Sequence, residues 1–213
     1  MTNEDYQKIF HEIKNNITFI SSSLQLIEKG HPEIKTFPYW NDSMQEVEAL
    51  KNMLIELSSA RLCNDLTLQK ISPKLLLPEL IHSCIALCSS DDFDCQTEFS
   101  VCLPEVFIDP PKFKRALFNL IKNSYEAMKG HGTIQIHCYQ KDSRLYLDLI
   151  DFGGGISPEY LPKLFTPFET TKQNGTGLGL LIARQIIESH GGSLTVDSRP
   201  QDGCTFRITL PRA

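Results

Sequence analysis

Several common features are missing from this sequence of 213 residues, and each absence excludes something. The seven cysteines are an odd number and contain no C-x-x-C pair, so they read as reduced thiols of a cytoplasmic protein, mostly packed as small hydrophobes. No apolar run approaches the ~20 residues of a membrane span. No apolar stretch follows the polar start from Met1 to Asp5, so no secretory signal is visible. There is no basic stripe: the formal net charge is −5 and the pI is near 5.7, which argues against nucleic acid as a partner. No internal repeat or low-complexity tract is present. With 41% hydrophobic and 22% charged residues, collagen-like, disordered and coiled-coil-only readings fall away, and the chain can bury a real core without disulfide or metal staples.

Familiar motifs are absent too. A Gly-x-Gly-x-x-Gly turn would need glycine where Pro158 and Leu180 stand, and no Gly-x4-Gly-Lys-Ser/Thr loop exists. Asp151-Phe152-Gly153 spells a magnesium motif of serine, threonine and tyrosine kinases, but no His-Arg-Asp loop precedes it. His11-Glu12 is followed by Asn15 rather than a second histidine, which excludes a zincin. His82, Cys84 and Cys88 lack a second ligand pair at zinc spacing and read as core packing. His31, His131, His137 and His190 are expected in surface or capping roles.

What is present divides the chain. Residues 1–66 carry ten acidic and six basic side chains, whereas residues 67–213 are near balance at net −1. Phe10, Ile13, Ile17, Ile20, Leu24 and Ile27 repeat at spacings of 3 and 4, which predicts a long amphipathic helix stopped by Gly30, His31 and Pro32. Val47, Leu50, Leu54 and Leu57 make a second seam, with Asn41, Asp42 or Ser43 as candidate caps. Such helices form an antiparallel hairpin. A lone hairpin cannot cover both seams, so dimerisation into a four-helix bundle is expected. Beyond about Asp65, short strands at 67–71, 95–103, 106–109, 133–139, 145–150, 193–197 and 205–210 mix with helices at 72–88, 110–129 and 178–190. The expected fold class is α+β: a helical hairpin followed by an α/β sandwich with a mostly antiparallel sheet.

Four short signatures stand in order. In Phe10-His11-Glu12-Ile13-Lys14-Asn15-Asn16, His11 follows a seam residue and should point outward; an exposed imidazole beside a carboxylate can act as a nucleophile, or be part of a plain polar surface. In Asn119 to Ala127, Asn119 and Asn123 lie one above the other on a helix, where amide oxygens suit a phosphate-bound Mg²⁺, or solvent. Asp151-Phe152-Gly153-Gly154-Gly155-Ile156 puts a carboxylate at a strand end, able to accept from an exocyclic amine, before a glycine turn. Gly175-Thr176-Gly177-Leu178-Gly179-Leu180 runs into a helix, where backbone N–H groups favour anions.

Together these resemble the transmitter region of a two-component sensor histidine kinase. The four correspond to its H, N, G1 and G2 boxes. Leu164 to Phe168 with Thr170-Thr171-Lys172 resembles its F box, and Gly191-Gly192 through Leu210-Pro211 resembles its final strands. The resemblance covers essentially the whole chain. It implies residues 1–66 as a dimerising phosphotransfer hairpin and 67–213 as an ATP-binding domain of the histidine kinase, gyrase and Hsp90 type. It implies Mg-ATP as cofactor, with Asn119, Asn123, Asp151, Gly153, Gly155, Thr171, Lys172, Gly175, Thr176, Gly177, Leu178 and Gly179 around it and Asn123 on the metal. It implies that His11 attacks the γ-phosphate with Glu12 orienting or deprotonating it. The phosphoryl group then passes to a response-regulator aspartate, and Asn15 aligns a water for dephosphorylating that regulator. The alternatives are a phosphotransfer scaffold with an inert nucleotide domain, or an ATPase of the same superfamily.

Two departures stand out. Asn16 replaces the usual H-box proline, which predicts a straighter first helix. Only 19 residues separate Gly155 from Gly175, which predicts a short, mobile lid. His11 stands ten residues from Met1, so the input is expected from a separate sensory partner, or from a sensor domain missing from this chain.

Overall fold

The computed structural model describes residues 3–61, 65–88, 92–172 and 175–213, with side chains throughout these spans except those of residues 3–11, 52 and 55–61. Helix α1 (Asn3–Gly30) runs without a break through Asn16. A 3-10 turn (Pro32–Thr36) connects it to α2 (Trp40–Arg61). Tyr39, at φ 66°, turns the chain into α2, so the helix begins before Asn41, Asp42 and Ser43, which lie inside its first turn rather than capping it. Glu28 holds this corner: it accepts from Trp40 Nε1 at 3.2 Å and pairs with Lys35 at 2.8 Å, and the Lys35 hydrogen bond leads the influences that lower its pKa.

The α1 seam is only half covered. Ile13, Ile20 and Ile27 remain 40%, 46% and 43% exposed. Among the described residues, no helix is long and apolar enough to cross a membrane.

The remainder contains β1 (Gln69–Ile71), α3 (Pro73–Ala86), β2 (Phe93–Phe99), β3 (Val106–Ile108), α4 (Pro110–Ala127), β4 (Gly132–Lys141), β5 (Arg144–Asp151), a 3-10 turn (Leu161–Lys163), α5 (Gly179–Ser189), β6 (Ser193–Arg199) and β7 (Gly203–Pro211). Five strands form one sheet in the order β2-β4-β5-β7-β6, parallel between β2 and β4 and antiparallel elsewhere. β1 and β3 pair separately.

Alternation along the strands places one face of the sheet under the helices. Ile134, Ile136, Leu147, Leu149, Phe206 and Ile208 are buried there beneath Leu117, Leu120 and Ile121 of α4 and Ile182, Ile186 and Ile187 of α5. Each such side chain contributes about 1.5–3 kcal/mol. On the other face, the part-buried Tyr139 and Tyr146 stack at 5.3 Å, and Arg207 grips Asp148 through two 2.7 Å bonds. The cysteines behave mostly as core: Cys84, Cys88, Cys138 and Cys204 are buried free thiols, and burial pushes Cys138 up to about 12.

Candidate functional site

A cleft of about 680 Å³ opens between α4, the loop after β5 and the segment leading into α5. Helix α4 starts firmly. Asp109 caps it by accepting from the Lys112 N–H at 3.2 Å, and Pro110 and Pro111 follow, where no N–H is needed. Its inward stripe fixes the rotation of the helix. That rotation turns Asn119, Asn123 and Glu126, spaced 4 and 3 apart, toward the cleft as one column.

The Asn119 amide nitrogen Nδ2 is buried and has no hydrogen-bond partner among the described residues. Asn123 Oδ1 accepts from Lys172 Nζ at 2.9 Å, and the same ammonium pairs with Glu126. Across from Asn119 stands Gly179, the first residue of α5, where a Cβ would come 3.7 Å from Asn119 Oδ1. Thr171, Gly175, Thr176 and Gly177 complete this wall. Gly177 is at φ +67°, and a Cβ there would strike the backbone of Phe168 and Glu169 at 2.6 and 2.8 Å. Only glycine allows that turn.

Asp151 ends β5 on the core face. It accepts from Ser124 Oγ at 3.0 Å and from the Gly153 N–H at 3.0 Å. Burial raises its pKa, against the opposing pull of Gly153, Ser124, the Cys204 N–H and the Lys172 charge. At 1% exposure it stands behind the cleft wall, which is formed here by Ala127, Gly154 and Cys204, and Gly153 sits behind it too, against Ala127. Ile156, Tyr160, Leu164 and Leu180 add an apolar lining suited to a flat base.

Of the expected site residues, Asn119, Asn123, Gly155, Thr171, Lys172, Gly175, Thr176, Gly177 and Gly179 line one cleft. Leu178 does not: its side chain is 2% exposed in the core, and its N–H donates to Thr176 Oγ1. Glu12 and Asn15 are exposed on α1 and do not line the cleft. The side chain of His11 lies outside the described ones. Sequence reasoning missed Glu126, although it follows Asn123 by three residues on the same helix face. It also missed Ser124, although Ser124 continues the inward spacing of α4, and Tyr160 and Cys204, which no spacing pointed to. His190, expected in a surface or capping role, closes α5 at its C-cap but is buried.

Residues 108–213 match the family model described as "Histidine kinase-, DNA gyrase B-, and HSP90-like ATPase". Sensor histidine kinase ZraS of Escherichia coli is 31% identical over 95% of this chain, which spans 44% of that protein, so the chain covers less than half of that curated relative. The full-length ShkA structure in complex with AMPPNP covers 100% of this chain and 46% of its own, with a TM-score of 0.75; at 18% identity it shows likeness of fold alone. The catalytic domain of histidine kinase ThkA shares 30% identity at a TM-score of 0.59, over 69% of this chain and 97% of that structure. The ordered cleft residues and relatives spanning both the helical and the sheet-bearing parts lead to one assignment: the chain belongs to the histidine kinase family and carries that family's ATPase-type domain.

Proposed function

We propose that this chain is an ATP-dependent protein histidine kinase. In this reading His11 is phosphorylated from ATP held in the cleft, and the phosphoryl group then passes to an aspartate on a response-regulator receiver domain. The observation that carries it is the buried, unpartnered Nδ2 of Asn119 in the column shared with Asn123 and Glu126. A buried donor left unpaired at a cleft wall asks for an acceptor, and phosphate oxygens supply one.

The donor set also fits Mg²⁺. Asn123 Oδ1 and the Glu126 carboxylate are hard oxygen ligands that already attract one cation, the Lys172 ammonium. Bound there with nucleotide, Mg²⁺ neutralises charge on the phosphates. Asn123 holds the metal and Asn119 donates to phosphate. Asp151 reads the amine of adenine, and Gly175, Gly177 and Gly179 let backbone N–H groups approach the phosphates. A ring nitrogen of His11 forms the N–P bond as the bond to the ADP oxygen breaks, with Glu12 orienting the ring or taking its proton. Asn15, exposed one turn on, aligns water in the dephosphorylating reaction.

Residues 1–66 form the phosphotransfer hairpin and 67–213 the nucleotide domain. The exposed seam at Ile13, Ile20 and Ile27 supports dimerisation into a four-helix bundle. A sensory partner, or a sensor domain in a longer protein, provides the input.

Incubation with γ-labelled ATP tests this. An acid-labile, base-stable label is expected, and it is lost in His11→Gln and in Asn123→Ala. Label that survives His11→Gln removes His11 from its role. Nucleotide binding with no label at all favours a scaffold or an ATPase.

A further inference from the structure

Two sequence alternations fail at the point where they meet. On β5 the core-facing positions are Leu145, Leu147 and Leu149, and the next is Asp151. On α4 the inward stripe is Phe113, Leu117 and Leu120, and the next is Ser124. An apolar side chain at either place would extend the core. Instead a hydroxyl and a carboxylate, 0% and 1% exposed, face each other, and Ser124 Oγ donates to Asp151 Oδ2 at 3.0 Å. Burying a polar pair in an otherwise apolar layer costs free energy unless the groups satisfy each other, so its presence asks for a use.

The surroundings give it one. Ala127 follows Ser124 by three residues on α4, and Cys204 is the β7 register partner of Asp151; both line the cleft. The pair therefore stands directly behind the wall against which a base would rest.

We infer that Ser124 is a positioning residue for base recognition: its hydroxyl fixes the plane of the Asp151 carboxylate so that the remaining acceptor meets an exocyclic amine and repels a carbonyl. This rests on the reading of the cleft as a nucleotide site in which Asp151 contacts the base. The Gly153 N–H, on Oδ1, and the Cys204 N–H hold the carboxylate from its own loop and sheet. Ser124 is the donor that reaches it from α4, on Oδ2, and limits its remaining rotation about the Cβ–Cγ bond. An ionised carboxylate has only acceptors to offer, so Ser124 must donate to it. That donation also opposes the upward pull of burial on the Asp151 proton affinity. A fixed, acceptor-only group accepts from the 6-amino group of adenine and is repelled by the 6-oxo group of hypoxanthine.

The test compares ADP and IDP binding to the full chain by calorimetry with Mg²⁺ present. In Ser124→Ala, and in Ser124→Cys, which nearly keeps the volume but offers only a weak donor, ADP affinity is expected to fall about tenfold while IDP affinity does not fall. The ADP-to-IDP ratio does not depend on how much of the variant is folded, so destabilisation cannot imitate the result. If both nucleotides weaken together, or the ratio is unchanged, Ser124 has no positioning role. Asp151→Asn separates the two levels. If it lowers ADP affinity while the serine variants keep the wild-type ratio, the Ser124 proposal alone fails. If it leaves ADP affinity untouched, the reading of Asp151 as the base contact fails and takes the proposal with it.

Discussion

The backbone N–H of Asp109 donates to Nε2 of His190 across 2.9 Å, joining the first residue before α4 to the last turn of α5. Nδ1 of the same ring lies 2.7 Å from the Ile186 carbonyl oxygen, so it carries the proton and Nε2 is the acceptor. His190 is 5% exposed and meets Phe113 edge-on at 5.9 Å. It keeps the two helices that flank the cleft in register. His190→Ala leaves the Asp109 N–H buried and unpaired. We expect a loss of about 2 kcal/mol in urea unfolding, the cost of one unsatisfied buried donor together with lost packing.

Asp109 itself carries a pH dependence. Burial is the largest influence on its carboxyl and acts upward. The N–H groups of Thr67 and Lys112, with the Lys112 charge, outweigh it, and the net pKa is lowered. A carboxyl with a lower pKa in the folded than in the unfolded state stabilises the fold fully above the ordinary Asp value of about 3.9 and loses that contribution as pH falls through the folded value. Asp109→Asn keeps a capping side chain without the charge. Urea midpoints measured from pH 6 down to pH 2 should therefore fall less steeply in the variant than in the wild type.

Lys172 reaches from the segment before α5 to Asn123 and Glu126, at the end of the cleft assigned to phosphate. Lys172→Met removes a charge-assisted donor. ATP affinity, read by calorimetry, should fall about tenfold, whereas adenosine, which has no phosphate, should bind as before. Equal weakening of both would place Lys172 at the base instead.

Neighbouring glycines after β5 should respond very differently to one methyl group. At Gly154 an added Cβ meets no atom of the described residues within 4 Å, and Gly154→Ala should change stability by no more than about 0.5 kcal/mol. Gly155 is at φ +67° with its Cβ direction blocked by the Arg199 carbonyl, where the β6–β7 turn crosses the loop. Gly155→Ala should cost about 2 kcal/mol or more and weaken nucleotide binding with it. Thermal unfolding of the two variants side by side checks both.

Periodicity was enough to place most elements. The seam of α1, the prolines opening α4 and the alternation of β4 and β5 correspond to observed elements within a few residues, because each is a local pattern of side-chain burial. The start of α2 was not legible. Candidate caps at Asn41 to Ser43 were overridden by the left-handed turn at Tyr39 and the Glu28 bonds to Lys35 and Trp40, which bring together residues on both sides of the connector. The observed β2 (Phe93–Phe99) begins and ends before the expected strand at 95–103, because its register is set by its parallel partner β4 and no hairpin turn fixes it.

The sequence by itself determined which residue types were available for the chemistry and on what kind of element each would stand. Asn119 and Asn123 had to share a helix face at a spacing of 4, and Asp151 had to end a strand before glycines, because 3.6-residue and 2-residue periods leave no other arrangement. Only the tertiary structure decided which residues from distant segments meet. It brought Lys172 to Asn123 and Glu126, put Ser124 behind the cleft wall on Asp151, and buried His190 against Asp109. Such contacts depend on the rotation of α4 and α5 over the sheet. That rotation is set by the burial of many apolar side chains at once, and no single stretch of sequence encodes it.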